Sequence, residues 1–187
     1  MKSRVEKGRR FKITGQIGEN LVAAELGRRG YIATACTGNV PEFDLLVTDE
    51  RLRTTAIQVK TIQRGGAFQS IATRWMNIDI QKNGKQIIKG RVKLTNPRLI
   101  YVMVVLGEKY GEDEFFLLME KQLQDIHVKL YRAWLKEHGG FRPRKPKSLH
   151  CAVGPDKLES FHDNWGIFAE PKASFSKWDK IPAPPIV

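Results

Sequence analysis

The chain has 187 residues, of which 41% are hydrophobic and 28% are charged. That length can bury an adequate core without disulfides or structural metal ions, and the hydrophobic fraction excludes a disordered chain. The 32 Lys and Arg residues outnumber the 20 Asp and Glu residues, giving a net charge of +12. Such a surplus favours a polyanion as partner, because each neutralised phosphate releases counterions, and an anionic membrane is the competing partner. A merely soluble basic protein is the alternative.

No membrane segment or secretion signal is evident. The longest apolar run, Leu99–Leu106, is far shorter than the roughly 20 residues that span a bilayer. The polar, basic N-terminus lacks the apolar stretch of a signal peptide, and no convincing basic amphipathic helix or lipidation site is present. We therefore expect a cytoplasmic protein without membrane contact. In that compartment Cys36 and Cys151 should remain free thiols, and neither belongs to the CxxC pair typical of a zinc site.

The first dozen residues contain six basic residues and one acidic residue. This bias predicts a flexible basic arm over residues 1–13, followed by a single domain over residues 14–187. DNA contacts are assigned to four basic residues, Arg9, Arg10, Lys12 and Arg64. A disordered tail that only aids solubility is the alternative for the arm.

A helix is predicted from Thr14, a good N-cap residue, to Gly30, a good C-cap glycine. Glu19 lies early in this helix and in line with Val22 and Leu26, whose spacing forms one core-facing ridge. A carboxylate in such a position is costly unless it is paired or functional. Glu19 is therefore a candidate site residue.

Three strands are predicted after this helix, over Tyr31–Cys36, Phe43–Thr48 and Arg53–Ile62. A bend at Gly38-Asn39 separates the first two, and a short charged turn joins the second to the third. The apolar and β-branched residues of the third strand are typical of a half-buried position in a sheet.

The stretch Gln63–Gly90 is predicted to be irregular, apart from a short strand near Met76–Ile80 and a turn at Asn83-Gly84. Beyond it the pattern predicts a central buried strand, a further strand and a helix, over Leu99–Leu106, Glu114–Glu120 and Lys121–His138. A basic, proline-broken loop begins at Phe141. Its basic residues could contact phosphate, although solvated loops of this composition are common.

The second and third strands place three polar residues together if they form an antiparallel hairpin centred near Arg51. Asp44 and Gln58 are then directly opposite each other. Opposed residues share a face and side chains alternate along a strand, so Asp44, Gln58 and Lys60 are expected on one face. The apolar set is expected on the other face, namely Phe43, Leu45, Val47, Ile57 and Val59.

This arrangement suits phosphodiester hydrolysis with a divalent ion. Asp44 can be an anionic ligand, and the Gln58 amide oxygen and the Val59 carbonyl can be neutral ligands, a hard-oxygen set that favours Mg²⁺ or Mn²⁺. Lys60 could orient the attacking water, act as its base, or stabilise developing charge. Glu19 could hold a metal-bound water or a second ion. Each residue alone is more often a turn, edge or solvent-facing residue, so the hypothesis depends on the combination.

Three stretches resemble the PD-(D/E)XK nuclease superfamily, namely Gly15–Tyr31, Gly38–Val47 and Ala56–Lys60. The first is similar to the opening helix of archaeal Holliday junction resolvases, and the resemblance covers roughly the first third of the chain well. It implies an α/β (α+β) restriction-endonuclease-like fold, a mixed sheet flanked by helices, and magnesium-dependent cleavage of DNA.

By motif position, Glu19 matches the helix glutamate, Asp44 the metal-binding aspartate and Lys60 the lysine of that superfamily. Gln58 stands where the second acidic residue normally stands, which removes one negative charge from the metal site. We therefore expect a Mg²⁺- or Mn²⁺-dependent DNA endonuclease of repair, recombination or defence. The alternative is an inactive nuclease-fold DNA-binding module, or a subunit of a larger nucleic-acid-processing complex. The sequence does not distinguish DNA from RNA as the substrate. It also does not distinguish a homodimer from a monomer.

Overall fold

The computed structural model describes residues 4–36, 42–109 and 111–169. In chain order, its helices and strands are α1 (Arg4–Arg28), β1 (Ile32–Ala35), β2 (Leu45–Thr48), β3 (Thr54–Gln63), β4 (Phe68–Ile71), β5 (Met76–Ile80), β6 (Gln86–Arg91), β7 (Ile100–Leu106), β8 (Glu114–Met119), α2 (Glu120–Glu137) and β9 (His150–Val153). Short 3-10 turns follow β4 and β9.

The main sheet has five strands in the spatial order β1, β2, β3, β7, β8. β3 and β7 are parallel, and the other neighbours are antiparallel. Two smaller sheets pair β4 with β9 and β5 with β6. The expected fold class, a mixed sheet flanked by helices, is confirmed.

The two faces of the main sheet pack against different helices. On one face, Val22 and Leu26 of α1 pack with Ile57 of β3. On the other face, Leu123 of α2 packs in a second core with Met103 of β7. Successive side chains of a strand point to opposite faces, so β7, whose sequence is apolar throughout, is buried on both. The central buried strand was predicted correctly.

Helix α1 begins at Arg4 rather than at Thr14, so the prediction of a flexible arm is wrong for residues 4–13. This segment is rich in Arg and Lys, lacks proline and has good intrinsic helix propensity, which a count of charge alone does not reveal. The predicted C-terminus is confirmed. Gly30 has a φ of +83°, and the next residue, Tyr31, donates its N–H to the Leu26 carbonyl at 3.0 Å.

The stretch Gln63–Gly90 is more regular than predicted, since it contains β4, β5 and most of β6. The short strand at Met76–Ile80 and the turn at Gly84, whose φ is +86°, are confirmed. β4 was missed because its partner β9 is about 80 residues away, with Ser70 opposite Cys151. Such a pairing is a tertiary contact and leaves no local pattern.

The remaining predicted elements agree with the structure to within two residues at most ends, which is the usual uncertainty of element boundaries. Cys36 and Cys151 are free thiols. The bend predicted at Gly38-Asn39 lies outside the described residues. Among the described helices, neither combines the length and the apolar character needed to cross a bilayer.

Candidate active site at the open edge of β3

β2 and β3 form the predicted hairpin in the predicted register. Leu45 pairs with Ile57, so one further step places Asp44 opposite Gln58. β2 pairs no further, whereas β3 continues beside β7 to Gln63. Within the described residues, the edge of β3 from Gln58 to Gln63 therefore has no strand partner on the β2 side. We call this segment the open edge of β3.

The Asp44 carboxylate lies at the start of the open edge and binds the backbone there. Its Oδ2 accepts a hydrogen bond from the Val59 N–H at 2.8 Å and another from the Gln58 side-chain amide. The N–H and C=O of one strand residue point to the same side. The Val59 carbonyl therefore points to the same edge as the Asp44 carboxylate, which brings two of the predicted oxygen ligands together.

The face predicted for Phe43 is wrong. Leu45 and Val47 pack on the α1 side of the sheet as expected, but Phe43 packs against the core on the α2 side. Phe43 precedes β2, so strand alternation does not apply to it. Gln58 is 4% exposed and is adjacent to Tyr101 in the register, whereas Lys60 is an exposed residue.

Helix α1 brings Glu19 to the open edge through a close approach at Gly18. A Cβ on Gly18 would lie 1.9 Å from Oγ1 of Thr61, so the α1 backbone at Gly18 packs directly on the Thr61 side chain of β3. Glu19 follows directly. Burial raises the pKa of the Glu19 carboxyl, the negative charge of Asp44 raises it further, and Lys60 opposes both. Glu19, Asp44 and Lys60 thus form one electrostatic group.

Lys60 carries an ammonium that its surroundings disfavour. Desolvation by the surrounding protein lowers the pKa of Lys60, and the positive charge of Arg74 lowers it further. The carboxylates of Asp44 and Glu19 act in the opposite direction. Because desolvation dominates, a larger fraction of Lys60 is neutral near physiological pH than for a free lysine, which suits a proton acceptor.

Arg74 is a candidate site residue that the sequence analysis missed. It lies in the 3-10 turn after β4, and its guanidinium donates to Oη of Tyr101 at 2.5 Å and lies 3.4 Å from Oε1 of Glu120. Burial is the main cause that raises the pKa of Tyr101 to about 12, so this phenol remains protonated. Arg74 is thereby held beside the Gln58–Lys60 face. Its only local sequence signal is the basic–aromatic pair with Trp75, whose ring it covers at 5.2 Å.

Two of the four predicted DNA contacts, Arg10 and Arg64, lie at the far end of β3. Arg10 donates to the side chain of Gln63. Arg64 donates to the Glu112 carbonyl at 2.9 Å and pairs with Glu114 at 3.1 Å. Since a strand rises about 3.3 Å per residue, Gln63 and Arg64 lie roughly 10–13 Å along the chain from Lys60. The other two, Arg9 and Lys12, are exposed on α1.

The oxygen atoms at the open edge are of the kind that a small hard cation prefers. Among the described residues, no group of three or more His, Cys, Asp and Glu side chains is placed to hold a metal ion. Mg²⁺ needs fewer protein ligands than that, because it binds through one or two carboxylates and retains several waters. Asp44 and Glu19 would supply two carboxylates, and the Val59 carbonyl and, after rotation of its amide, Gln58 would add neutral oxygens.

No protein-family model matches the chain, and no curated protein matches it. Among solved structures, the chain is similar to a bacterial homing endonuclease, I-Ssp6803I, with 13% sequence identity and a TM-score of 0.39. The match covers 61% of this chain and 72% of that chain. A likeness this weak does not establish a shared fold, so the function has to be inferred from the residues of the site.

Proposed function

We propose that the open edge of β3 is the active site of a metal-dependent endonuclease that hydrolyses DNA phosphodiester bonds. One observation carries the proposal. The Asp44 carboxylate, the Val59 carbonyl and the Lys60 ammonium meet at a strand edge that no neighbouring strand covers among the described residues. A carboxylate that can bind a metal ion beside a desolvated lysine is an arrangement typical of catalytic sites. It also lowers the stability of the fold, because the ionised lysine is poorly solvated.

Asp44, Gln58, Glu19 and the Val59 carbonyl would hold Mg²⁺ or Mn²⁺. Such an ion, when bound, polarises a phosphate and makes a coordinated water more acidic. The Gln58 amide donates its N–H to Asp44 in this structure, so it must rotate to present its oxygen to a cation. Burial and the charge of Asp44 raise the pKa of the Glu19 carboxyl, and a bound cation would favour its ionised form.

Lys60 acts on the attacking water in this proposal. Neutral Nζ accepts a proton from the water, whose oxygen electron pair then forms the new P–O bond. The bond from phosphorus to the leaving oxygen breaks, and that oxygen departs with its electron pair and takes a proton from solvent. Arg74, fixed by Tyr101 and Glu120, stabilises the negative charge that develops on the phosphate oxygens.

The polyanion is proposed to be DNA because of the net charge of +12 and the cations that flank the open edge. Arg10 and Arg64 lie beyond Lys60 along β3, where the strand adjoining the cleaved bond would pass. Phosphate contacts of this type orient a substrate without reading its sequence. Cleavage is therefore expected to depend on the shape of the DNA more than on its bases.

A cleavage panel tests the proposal. Purified protein is incubated with duplex, single-stranded and branched DNA and with RNA, in Mg²⁺, in Mn²⁺ and in chelator. We expect cleavage of at least one DNA form with metal and none in chelator. Salt-sensitive DNA binding without cleavage in either metal would overturn the proposal in favour of the inactive DNA-binding module.

A further inference from the structure

The C-terminal half of α2 carries a second charged surface, far from the open edge of β3. One groove of about 500 Å³ lies between Trp134 and the loop that contains Arg142, Arg144 and Lys145. A second groove of about 290 Å³ follows α2 itself, and four cations line it, Arg91, Lys129, Arg132 and Lys136. The two grooves share no lining residue and lie on different sides of α2, since Arg132 and Trp134 are roughly 160° apart at about 3.6 residues per turn. We name the pair together the α2 groove.

The charges of the α2 groove are almost entirely of one sign. Its two parts are lined by seven Lys and Arg side chains and by one carboxylate, Asp125, which already pairs with Arg91 and with Lys121. Among the described residues, Arg132, Arg144 and Lys145 have no ion pair. Clustered cations repel one another. A bound polyanion neutralises that repulsion, and its own counterions are released at the same time.

The aromatic ring in the groove is not available to stack on a nucleobase. The His138 ring stacks on Trp134 with ring centroids 4.0 Å apart, and the Arg142 guanidinium lies over the same indole at 4.9 Å. These two contacts occupy the indole that lines the groove. A single-stranded nucleic acid that relies on aromatic stacking therefore has no platform here, and the groove offers cations to a phosphate backbone.

The α2 groove is separate from the proposed active site. Glu120, at the start of α2, contacts Arg74, whereas Trp134 lies 14 residues further along the helix. At 1.5 Å per residue this is about 21 Å. That distance exceeds the Debye length of about 8 Å at physiological ionic strength, so the groove acts on a bound polyanion independently of Lys60.

We propose that the α2 groove is a second nucleic-acid contact that binds the phosphate backbone of duplex DNA without reading its bases. The choice of DNA as the polyanion rests on the proposed function, whereas the preference for a phosphate backbone rests on the charges and on the covered Trp134 ring. The groove would retain the duplex while a bond at the open edge of β3 is cleaved.

The test compares two variants with equal changes in net charge. The groove variant combines Arg132→Gln, Arg144→Gln and Lys145→Gln, all at exposed positions. Lys136 is retained because a cation in the last turn stabilises α2. The control variant combines Arg51→Gln, Lys109→Gln and Lys157→Gln, which are also exposed and lie outside the groove. Affinity for a duplex of about 30 base pairs is measured in chelator over a range of salt concentrations.

We expect the groove variant to bind duplex DNA at least about tenfold more weakly than the control variant near 100 mM salt. The slope of log affinity against log salt should fall by up to about 2.7, since each lost phosphate contact contributes about 0.9. Equal affinity of the two variants for duplex DNA would overturn the inference. Affinity for duplex RNA and for anionic vesicles is measured in parallel, and a groove variant that loses affinity only for one of these would overturn it as well. If Arg132 proves necessary for folding, the pair Arg144→Gln and Lys145→Gln should lower the slope by up to about 1.8.

Failure of this inference and failure of the proposed function have different signatures. Binding in chelator does not require cleavage, so a protein that never cleaves can still show the loss in the groove variant. Conversely, metal-dependent cleavage with equal binding by both variants would leave the active site in place and remove the α2 groove as a DNA contact.

Discussion

The open edge of β3 and the α2 groove are both charged, but their charges are arranged differently. At the open edge, the carboxylates of Glu19 and Asp44 lie beside Lys60 and Arg74, and the pKa values of Glu19 and Lys60 are displaced in opposite directions. The α2 groove has cations with one paired carboxylate. Hydrolysis needs opposite charges at fixed positions, whereas backbone binding needs only an excess of one sign.

The two regions are also fixed in place by different means. The open edge is set by backbone contacts, since the Val59 N–H holds Asp44 and the absent side chain of Gly18 lets α1 approach β3. The α2 groove is built from side chains of α2, of one loop and of the end of β6. Small changes should therefore disrupt the open edge strongly and the groove gradually.

The largest expected effect comes from Lys60→Met. Removal of the proton acceptor should slow single-turnover cleavage by about 10²- to 10⁴-fold, while DNA affinity in chelator changes little because the α2 groove is intact. Desolvation of the ammonium by the nearby protein lowers the pKa of Lys60, so the ionised side chain opposes folding at pH 7. The variant should therefore unfold no more easily than wild type, and urea titration checks this. A cleavage rate within tenfold of wild type would remove Lys60 from the mechanism.

The next largest effect comes from a pair of glycine substitutions on α1. Gly18→Ala places a methyl group against Thr61 and should lower the free energy of unfolding by about 1–3 kcal/mol. It should also reduce cleavage because Glu19 moves with the helix. Gly15→Ala is the matched control, since nothing lies within 4 Å of its added Cβ, and it should stabilise α1 by up to about 1 kcal/mol. Equal unfolding free energies for the two variants would show that the close contact does not position α1.

Gln58→Glu should increase the difference in charge between the open edge of β3 and the α2 groove, because it adds a third carboxylate to the open edge. Without metal, the new carboxylate faces Asp44 in place of an amide that donates to it, so the fold should be less stable. With metal, the extra negative ligand should tighten Mn²⁺ binding by about tenfold, measured by calorimetry. Unchanged affinity would mean that the side chain at position 58 does not face the ion.

The smallest expected effect is the pH dependence contributed by Glu19. Burial raises its folded-state pKa above the ordinary value of 4.5, so its contribution to stability is fully present below that value and is lost as pH rises through the folded-state pKa. The free energy of unfolding of Glu19→Gln, relative to wild type, should therefore increase between pH 4 and pH 7. A difference that is constant with pH, or that decreases, would contradict the burial of this carboxyl.

The hairpin of the candidate site could be predicted because its pairing is local. A short turn between two strands fixes the register by counting, and the opposition of Asp44 and Gln58 follows. The approach of Glu19 was predicted only as a carboxylate on a core-facing ridge. Its closeness to β3 depends on Gly18 and Thr61, which are far apart in the chain.

Other features depend on contacts that no local pattern reveals. Arg74 reaches the site because β4 pairs with β9 and because Tyr101 and Glu120 hold its guanidinium. The start of α1 was missed because a basic segment with good helix propensity resembles a solvated arm. The α2 groove combines a helix and a loop that were predicted separately, so its charge became evident only when the two were placed side by side.

Metal-dependent cleavage by wild type and by Asp44→Asn is the most direct test of the open edge as a nuclease site. Asparagine retains an oxygen that can accept from the Val59 N–H, so the fold and DNA binding in chelator should persist while the anionic ligand is lost. With Mg²⁺ or Mn²⁺, wild type should cleave DNA and Asp44→Asn should cleave at least about a hundredfold more slowly. Equal rates for the two proteins would contradict the assignment of the open edge of β3 as the active site.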